Sequence, residues 1–526
     1  MALYRDQFSP FRNVLFRYVW IATLFSNLGT SIQAVGASWL MTSLTDSFQI
    51  VALLQAAASL PIMLFALIGG ALADSLDRRR VLLASQYFMI AVSIVMSVLS
   101  WLGLMTPWLL LLLTFLLGVG IAINNPTWQA STGDLVPRED LARAVAMNSI
   151  GFNLSRSFGP AIGGIIVATA GPTSAFALNV ISFALLVHAL HGWRSEPPGE
   201  TALPAEKTVP ALLTGLRFVS MSGETLLVLL RSFLFTFAAI AVLALLPVVS
   251  VYQLGGGALT YGAMLASYGV GAVGGALASR PLLDRLAPET VIRLAFLCFS
   301  AGTVGTGFSG QPWLTAASLV FCGAAWVMSM SLFNSTIQLN TPRWVVGRAL
   351  SVFQTVTFGG MALGSWLWGY VAQAGGIDVS HGFAAALLLV GAAVGLRYAL
   401  PKQASVAPDS HAPWLEPTTV MPIDGQDGEI WVQVIYTVDP DRTDAFLAAM
   451  SKRSLARRRN GARGWALLQE LDNPNCWHES YRTPTWIEYV RHNRRRTRED
   501  VVLNDLLREL NGGRPPEVRR RLRRVV

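Results

Sequence analysis

Arg156 stands in an apolar run long enough to cross a membrane, with no acidic residue nearby in sequence. A guanidinium held there is costly unless it finds a partner or a wet cavity. It can bind an anionic solute or modulate the proton affinity of a nearby group. The alternative is structural: hydrogen bonds to helix-end carbonyls or to an Asn. Asn27, Gln33, Asn125, Gln129, Asn153, Asn334 and Gln338 lie in similar runs, as do Gln55, Asn124, Asn179 and Gln354. Singly, each suits hydrogen-bonded helix packing; as a set they outline a polar pocket. Phe233, Phe235, Phe237 and Trp128 can give it aromatic walls, suiting an amphipathic or aromatic solute. Carboxylates are placed differently. Asp74, Asp134, Asp284 and Glu289 fall at the ends of apolar runs, leaving Asp134, with Asp46 and Asp378 at the opposite edge, as the acids able to carry a coupled proton.

These residues need a scaffold, and composition defines it. The 526 residues are 53% hydrophobic and only 13% charged, with a mean hydropathy of +0.47. A soluble domain carries about 25% charged residues, so this chain has too little polar surface for a soluble fold. Runs of about 20 apolar residues span a bilayer as helix. Twelve are present, near 15–41, 49–73, 81–103, 107–130, 144–170, 173–193, 227–252, 259–279, 290–309, 312–336, 348–374 and 380–400. Alternate connections carry Arg78, Arg79, Arg80, Arg138, Arg143, Arg194, Lys207, Arg217, Arg280, Arg285 and Arg343; the other set carries no Lys or Arg. Positive charge stays on the cytoplasmic side, which puts both termini in the cytoplasm. The basic, apolar first segment lacks a small-residue cleavage site and reads as a spanning helix.

An internal repeat divides the spans. Gly69-Gly70-Ala71-Leu72-Ala73 recurs as Gly274-Gly275-Ala276-Leu277-Ala278; Asn125-Pro126-Thr127-Trp128-Gln129 is echoed by Asn334-Ser335-Thr336-Ile337-Gln338, and Phe158-Gly159-Pro160 by Phe358-Gly359-Gly360. Parallel six-helix halves around a mid-membrane site are a transporter architecture. The domains are a first half at 1–193, a Pro-containing central linker at 194–226, a second half at 227–400, a Pro-rich linker at 401–428 and a soluble tail at 429–526. The tail holds 20 of the 40 Lys and Arg and 13 of the 31 Asp and Glu, hence +7 of the net +9. It alternates strand and helix as β-α-β-β-α-β, a ferredoxin-like pattern whose sheets pair face to face, so a dimer through the tail is expected.

Two motifs carry a resemblance. Gly70-Ala71-Leu72-Ala73-Asp74-Ser75-Leu76-Asp77-Arg78-Arg79-Arg80 resembles the signature after helix two of the major facilitator superfamily, matching at Gly70, Asp74, Arg78 and Arg79 and departing at Ser75 and Asp77. In that family the cluster latches the inner gate. Gly159-Pro160-Ala161-Ile162-Gly163-Gly164 resembles the family's antiporter signature, associated with exporters; physically, Gly159, Pro160, Gly163 and Gly164 make a kinkable, closely packing face. The family's usual Arg in helix four is replaced by Phe115. In the tail, Trp477-His478-Glu479-Ser480 and Trp486…His492 resemble small ferredoxin-like monooxygenases of the antibiotic-biosynthesis type. The residues read more simply as core tryptophans with surface or capping histidines, and the Arg-rich runs at 457–459 and 494–496 as solvated surface.

The resemblance to the secretion-effector group that includes enterobactin exporters implies a fold and a function. The expected fold is an all-α membrane protein of twelve helices in two repeats, plus a small α+β tail. The implied function is secondary export of a small amphipathic molecule (siderophore, drug or secondary metabolite) by alternating access, with proton antiport, from a bacterial cytoplasmic membrane. The competing readings are a lipid or lysolipid flippase on the same scaffold and a transporter fused to a sensing or enzymatic tail. Catalysis, a cofactor and nucleic-acid binding are not expected; the partners are the solute, membrane lipid and a second copy. Cys298, Cys322 and Cys476 show no disulfide or metal spacing.

Overall fold

The computed structural model describes residues 9–193, 215–342, 344–401, 416–495 and 497–524. Most of the central linker (194–214) and residues 402–415 of the Pro-rich linker lie outside them. The chain forms two compact units: one from residues 1–204, 227–335 and 351–401, the other from 205–226, 336–350 and 402–526.

Among the described residues, nine helices are long and apolar enough to cross a membrane. One of them, Leu141–His191, is two spans in series: Gly171 breaks it with φ 79°, a left-handed conformation that only glycine adopts freely, and Pro172 follows. Val14–Leu44 and Val346–Gly375 are equally long. The spans are therefore one (Val14–Leu44), two (Phe48–Ser75), three (Arg78–Trp101), four (Pro107–Leu135), five and six (Leu141–His191), seven (Gly223–Val248), eight (Ala258–Arg285), nine (Pro288–Phe308), ten (Pro312–Asn340), eleven (Val346–Gly375) and twelve (Ile377–Arg397).

Their starts follow from capping. Asn13, Ser47, Asp77 and Thr106 each accept a backbone N–H of the first turn that follows, and Pro107 opens span four where a missing N–H costs nothing. Small residues then set the packing. A Cβ added to Gly69 would stand 2.6 Å from the Ala122 carbonyl oxygen, so span two rests directly on span four. A Cβ on Gly275 would stand 2.5 Å from the Ala324 carbonyl oxygen, so span eight rests the same way on span ten. The repeat visible in sequence is thus a repeat of packing. Gly70 of the signature has open space around its Cβ position, and its neighbour Gly69 makes the close approach.

The tail forms a four-stranded antiparallel sheet, order β2-β3-β1-β4, with β1 Ile430–Thr437, β2 Arg463–Gln469, β3 Cys476–Thr483 and β4 Glu517–Leu522. Its helices are α1 Thr443–Arg459, α2 Trp486–Arg494 and α3 Arg498–Leu510, the last opened by a Thr497–Asp500 capping box. Alternation places Ile430, Val432, Val434 and Tyr436 against Phe446, Met450, Tyr489 and Leu507, while Trp431 faces out. This is the ferredoxin-like arrangement that the sequence pattern predicts.

Two tail expectations change. Arg457 and His492 are buried, not surface groups, and they surround a fully buried Glu479. Glu479 accepts from Arg457 Nε (2.9 Å), Trp465 Nε1 (3.1 Å) and the Tyr436 hydroxyl (3.1 Å). Arg457 stacks over the Tyr481 ring at 4.4 Å and donates to His492 Nε2, while His492 Nδ1 lies 3.1 Å from the Asn460 carbonyl. His492 is therefore neutral, with its proton on Nδ1. Burial acts to raise the Glu479 carboxyl, but the Arg457 and Arg453 guanidiniums outweigh it and hold it at about 2. Burial, and then Arg457, push His492 well below its ordinary 6.5.

The sign follows from linkage. The unfolded His492 takes up a proton below about pH 6.5 and the folded one does not. Tail stability therefore falls as pH drops through 6, and Glu479 adds a second loss below its unfolded value of 4.5. Hydrogen exchange of β1 and β3 in the full-length protein, corrected for intrinsic rate, is expected to speed up at pH 5.5 relative to 7.5. Glu479→Gln, which strips the charge from a buried pair, is expected to cost on the order of 3–5 kcal/mol at neutral pH.

The second unit is larger than the tail. Trp344, from the connection between spans ten and eleven, lies under Arg495 at 4.5 Å; Phe218, from the helical segment before span seven, lies under Arg459 at 5.6 Å. Phe218 and Trp344 meet edge to face at 5.7 Å. Such desolvated cation–π contacts are worth up to about 2 kcal/mol each. The tail thereby grips the chain segments that lead into spans seven and eleven.

Candidate functional site

The polar residues converge in the first half. Arg156 of span five lines a chamber of about 160 Å³ with Ser26, Asn27, Thr30 and Ser31 of span one, Gln86 of span three, Asn124 and Asn125 of span four and Phe183 of span six. This chamber shares Ser26, Asn27, Asn124, Asn125 and Phe152 with a wider cavity of about 550 Å³. The wider one continues past Trp20, Trp128, Gln129 and Asn148 to Leu190, towards the end of the bundle that carries Arg78, Arg79 and Arg143. This is the basic end of the bundle. The volume is that of a small-molecule pocket.

Each side chain is placed by helix spacing. Asn27, Thr30 and Ser31 recur at three and four residues and share a face. Phe152 and Arg156 are four apart on span five, so the guanidinium sits one turn deeper than the ring. The amides around Asn124 are ordered: its Oδ1 accepts from Ser85 and Gln86 at 3.2 and 3.1 Å. Among the described lining residues there is no carboxylate. Arg156 also faces the buried phenol of Tyr268 from span eight, so the only charge among the described lining residues stands where the two halves meet.

Span five is held between the halves by its glycines. A Cβ on Gly159 would lie 2.5 Å from the Ser31 Cβ, and one on Gly163 would lie 3.1 Å from the Ile32 Cα, so these two pack on span one. Gly164 turns the other way: its Cβ would stand 2.6 Å from the Gly262 Cα of span eight, and one on Gly262 would stand 2.5 Å from the Gly164 Cα. The halves touch again at this end, away from the basic one. Tyr252 donates to Asp46 at 2.9 Å and packs on Phe48, whose N–H donates to Gln373 at 2.7 Å. The structure is closed at the non-basic end around a cavity reaching towards the basic one.

The signature arginines do local work. Arg78 pairs with Asp134 at 3.0 Å and donates to the Ala130 carbonyl; Arg79 donates to the Leu190 and His191 carbonyls at the end of span six. These contacts tie the start of span three to spans four and six, where cationic side chains meet helix C-termini. The side chains of Asp74 and Asn153 lie outside the described residues.

Other candidates move away from the cavity. Gln33 is buried among spans one, three and six, receiving Ser93 at 3.1 Å and Asn179 at 2.5 Å and donating to Met96 Sδ; it is packing glue. Asp134 is committed to Arg78. Phe235 is buried against Phe296, Phe299 and Trp326, whereas Phe233 and Phe237 stack on each other. Asn334 and Gln338 of span ten are absent from the cavity walls.

One buried ion pair joins residues far apart in sequence. Arg231 of span seven is fully buried and ion-paired with Glu289 at the start of span nine; Glu289 also accepts the Leu400 N–H at 2.8 Å. A lone Arg in the run Leu229-Leu230-Arg231-Ser232-Phe233 was the available signal. Removing one partner of a buried pair costs about 3–5 kcal/mol, while replacing both by uncharged groups is often neutral. Arg231→Met is therefore expected to lower the melting temperature in detergent markedly, and Arg231→Met with Glu289→Gln to recover most of the loss.

The family model of the transmembrane secretion effectors matches residues 5–525. The chain belongs to that family. The match runs through the tail as well as the spans. This family member is 22% identical over 366 residues to the staphyloferrin A transporter of Staphylococcus aureus, covering 69% of this chain and 90% of that one. It is 27% identical over 364 residues to the enterobactin exporter EntS of Shigella flexneri, covering 67% and 84%. Among solved structures it is similar to a bacterial homolog of the human lysosomal transporter spinster, captured inward-facing and unoccupied, with a TM-score of 0.57 at 13% identity over 73% of this chain and 96% of that one. That likeness shows the fold, and membership of the transmembrane secretion effectors of the major facilitator type makes this chain a membrane-spanning transporter of small molecules.

Proposed function

We propose that the protein exports a small amphipathic organic anion across a bacterial cytoplasmic membrane by alternating access, with the basic end and both termini in the cytoplasm. The observation that carries this is Arg156: one cation in a cavity whose described walls hold amides, hydroxyls and aromatic rings but no carboxylate. An anionic cargo supplies the missing countercharge. Asn27, Asn124 and Asn125 offer donors and acceptors to its polar groups, and Trp20, Trp128 and Phe152 cover its apolar part. The relatives named as a staphyloferrin A transporter and as an enterobactin exporter favour a small-molecule cargo, and the second favours export.

The driving force follows from the same charge. Moving one negative charge out of a negative-inside cell gains about 2.3 kcal/mol per 100 mV. Export of an anion can therefore run on the membrane potential, with no protonatable acid in the cavity. The experiment is transport of candidate anions by the reconstituted full-length protein under an imposed potential or an imposed pH gradient. Movement of labelled lipid with no organic-anion flux would favour the flippase reading instead.

A further inference from the structure

The tail brings together three side chains that the transport site does not use. Cys476 and His478 stand two apart on β3 and so share one face of the sheet. Glu470, just past the end of β2, joins them across the hairpin, where its N–H donates to the Cys476 carbonyl at 3.0 Å. Their ligand atoms all lie within 4.8 Å of one another. We propose that Glu470, Cys476 and His478 form a binding site for one zinc-class divalent cation.

The three ligand atoms face one another at short range. Cys476 Sγ and His478 Nε2 are 3.6 Å apart, and His478 Nε2 and Glu470 Oε2 are 3.8 Å apart. The second distance is too long for a hydrogen bond. Tetrahedral zinc, with bonds of about 2.0 Å to N and O and about 2.3 Å to S, spaces its ligands by roughly 3.3–3.6 Å. His478 Nε2 therefore already stands within a few tenths of an ångström of that spacing from both Cys476 Sγ and Glu470 Oε2, and the thiol and carboxylate lie within 4.8 Å of each other. The donor set of one thiolate, one imidazole and one carboxylate matches borderline cations such as Zn²⁺ and Co²⁺, not Mg²⁺ or Ca²⁺. Three protein ligands leave a fourth position for water or an exchangeable ligand.

Gln433 of β1 orients the ring, with its side-chain amide nitrogen 3.0 Å from His478 Nδ1. When Nε2 binds metal, Nδ1 carries the proton, and Gln433 turns its carbonyl oxygen to receive it, releasing Arg521, which now donates to that oxygen at 2.8 Å. Outer partners of this type fix a ligating histidine. Cys476 is thus assigned a role that its sequence spacing did not suggest, because the spacing that matters runs across a hairpin turn.

The test uses the full-length protein purified in detergent and stripped of metal. Titration with Co²⁺ is expected to give the thiolate-to-cobalt charge-transfer absorption and the intense visible bands of a tetrahedral site, saturating at one ion per chain. Zn²⁺ should displace the cobalt. Cys476→Ser should abolish the charge-transfer band, and His478→Ala should weaken Zn²⁺ retention at least tenfold, both with an unchanged elution profile. No charge-transfer band in the wild-type protein, or Zn²⁺ retained equally by Cys476→Ser and His478→Ala, would overturn the assignment.

Discussion

Arg156→Gln is expected to lose ten- to a hundredfold in affinity for an anionic cargo. Hydrogen bonds to a charged group contribute about 1.5–3 kcal/mol, and each 1.4 kcal/mol is a factor of ten. Gln keeps donors at about the same depth, so the change isolates charge. Lys keeps the charge but loses the planar fork, and should fall between the two. The readout is built in, because Trp20 and Trp128 line the cavity and their fluorescence reports its occupancy. Insertion and elution should match the wild type, since the guanidinium faces the cavity. Gln33→Leu is the contrast: it breaks the hydrogen bonds from Ser93 and Asn179 and should lower thermal stability with little change in cargo selectivity.

Gly164→Leu should stop transport by a different route. The closed non-basic end requires spans five and eight to meet where Gly164 and Gly262 face each other, and a Cβ on either would stand 2.6 Å or less from the other's Cα. Overpacking of this kind costs about 1–3 kcal/mol. Applied to one conformation only, it moves the equilibrium towards the opposite state by up to about a hundredfold. Spin labels at the non-basic ends of spans two and eleven should then report a longer distance in Gly164→Leu than in the wild type. Gly70→Ala is the control. Nothing lies within 4 Å of its added Cβ in this conformation, so the distance at the non-basic end should match the wild type.

The legibility of the molecule in its sequence varies with length scale. Spans, halves and tail strands follow from hydropathy, charge asymmetry and period, which are summed over many residues. Helix faces do not. The signature Gly70 and the packing Gly69 differ by a hundred degrees of helix rotation, which sequence alone leaves open. Gln33 and Asn27 are both amides in span one; only the neighbouring helices decide that one packs and the other lines the cavity. In the tail, composition sets Arg457 on a basic surface, whereas the fold buries it beside Glu479, a partner on a strand 22 residues away. Arg231 was readable as a lone charge in an apolar run, but its partner Glu289 is 58 residues distant.

Alternating access fits these placements. The glycine contacts and the Asp46–Tyr252 bond close one end, and the cavity extends towards the other. The tail, through Arg459 and Arg495, holds the segments that lead into spans seven and eleven.

The most direct test of anion export through Arg156 is initial flux of a radiolabelled aromatic carboxylate in proteoliposomes under a potassium diffusion potential at equal pH on both sides. Anion export through Arg156 gives saturable flux that increases with the potential in the direction favouring anion movement and is lost in Arg156→Gln. Flux that ignores the potential, or persists unchanged in Arg156→Gln, would contradict it.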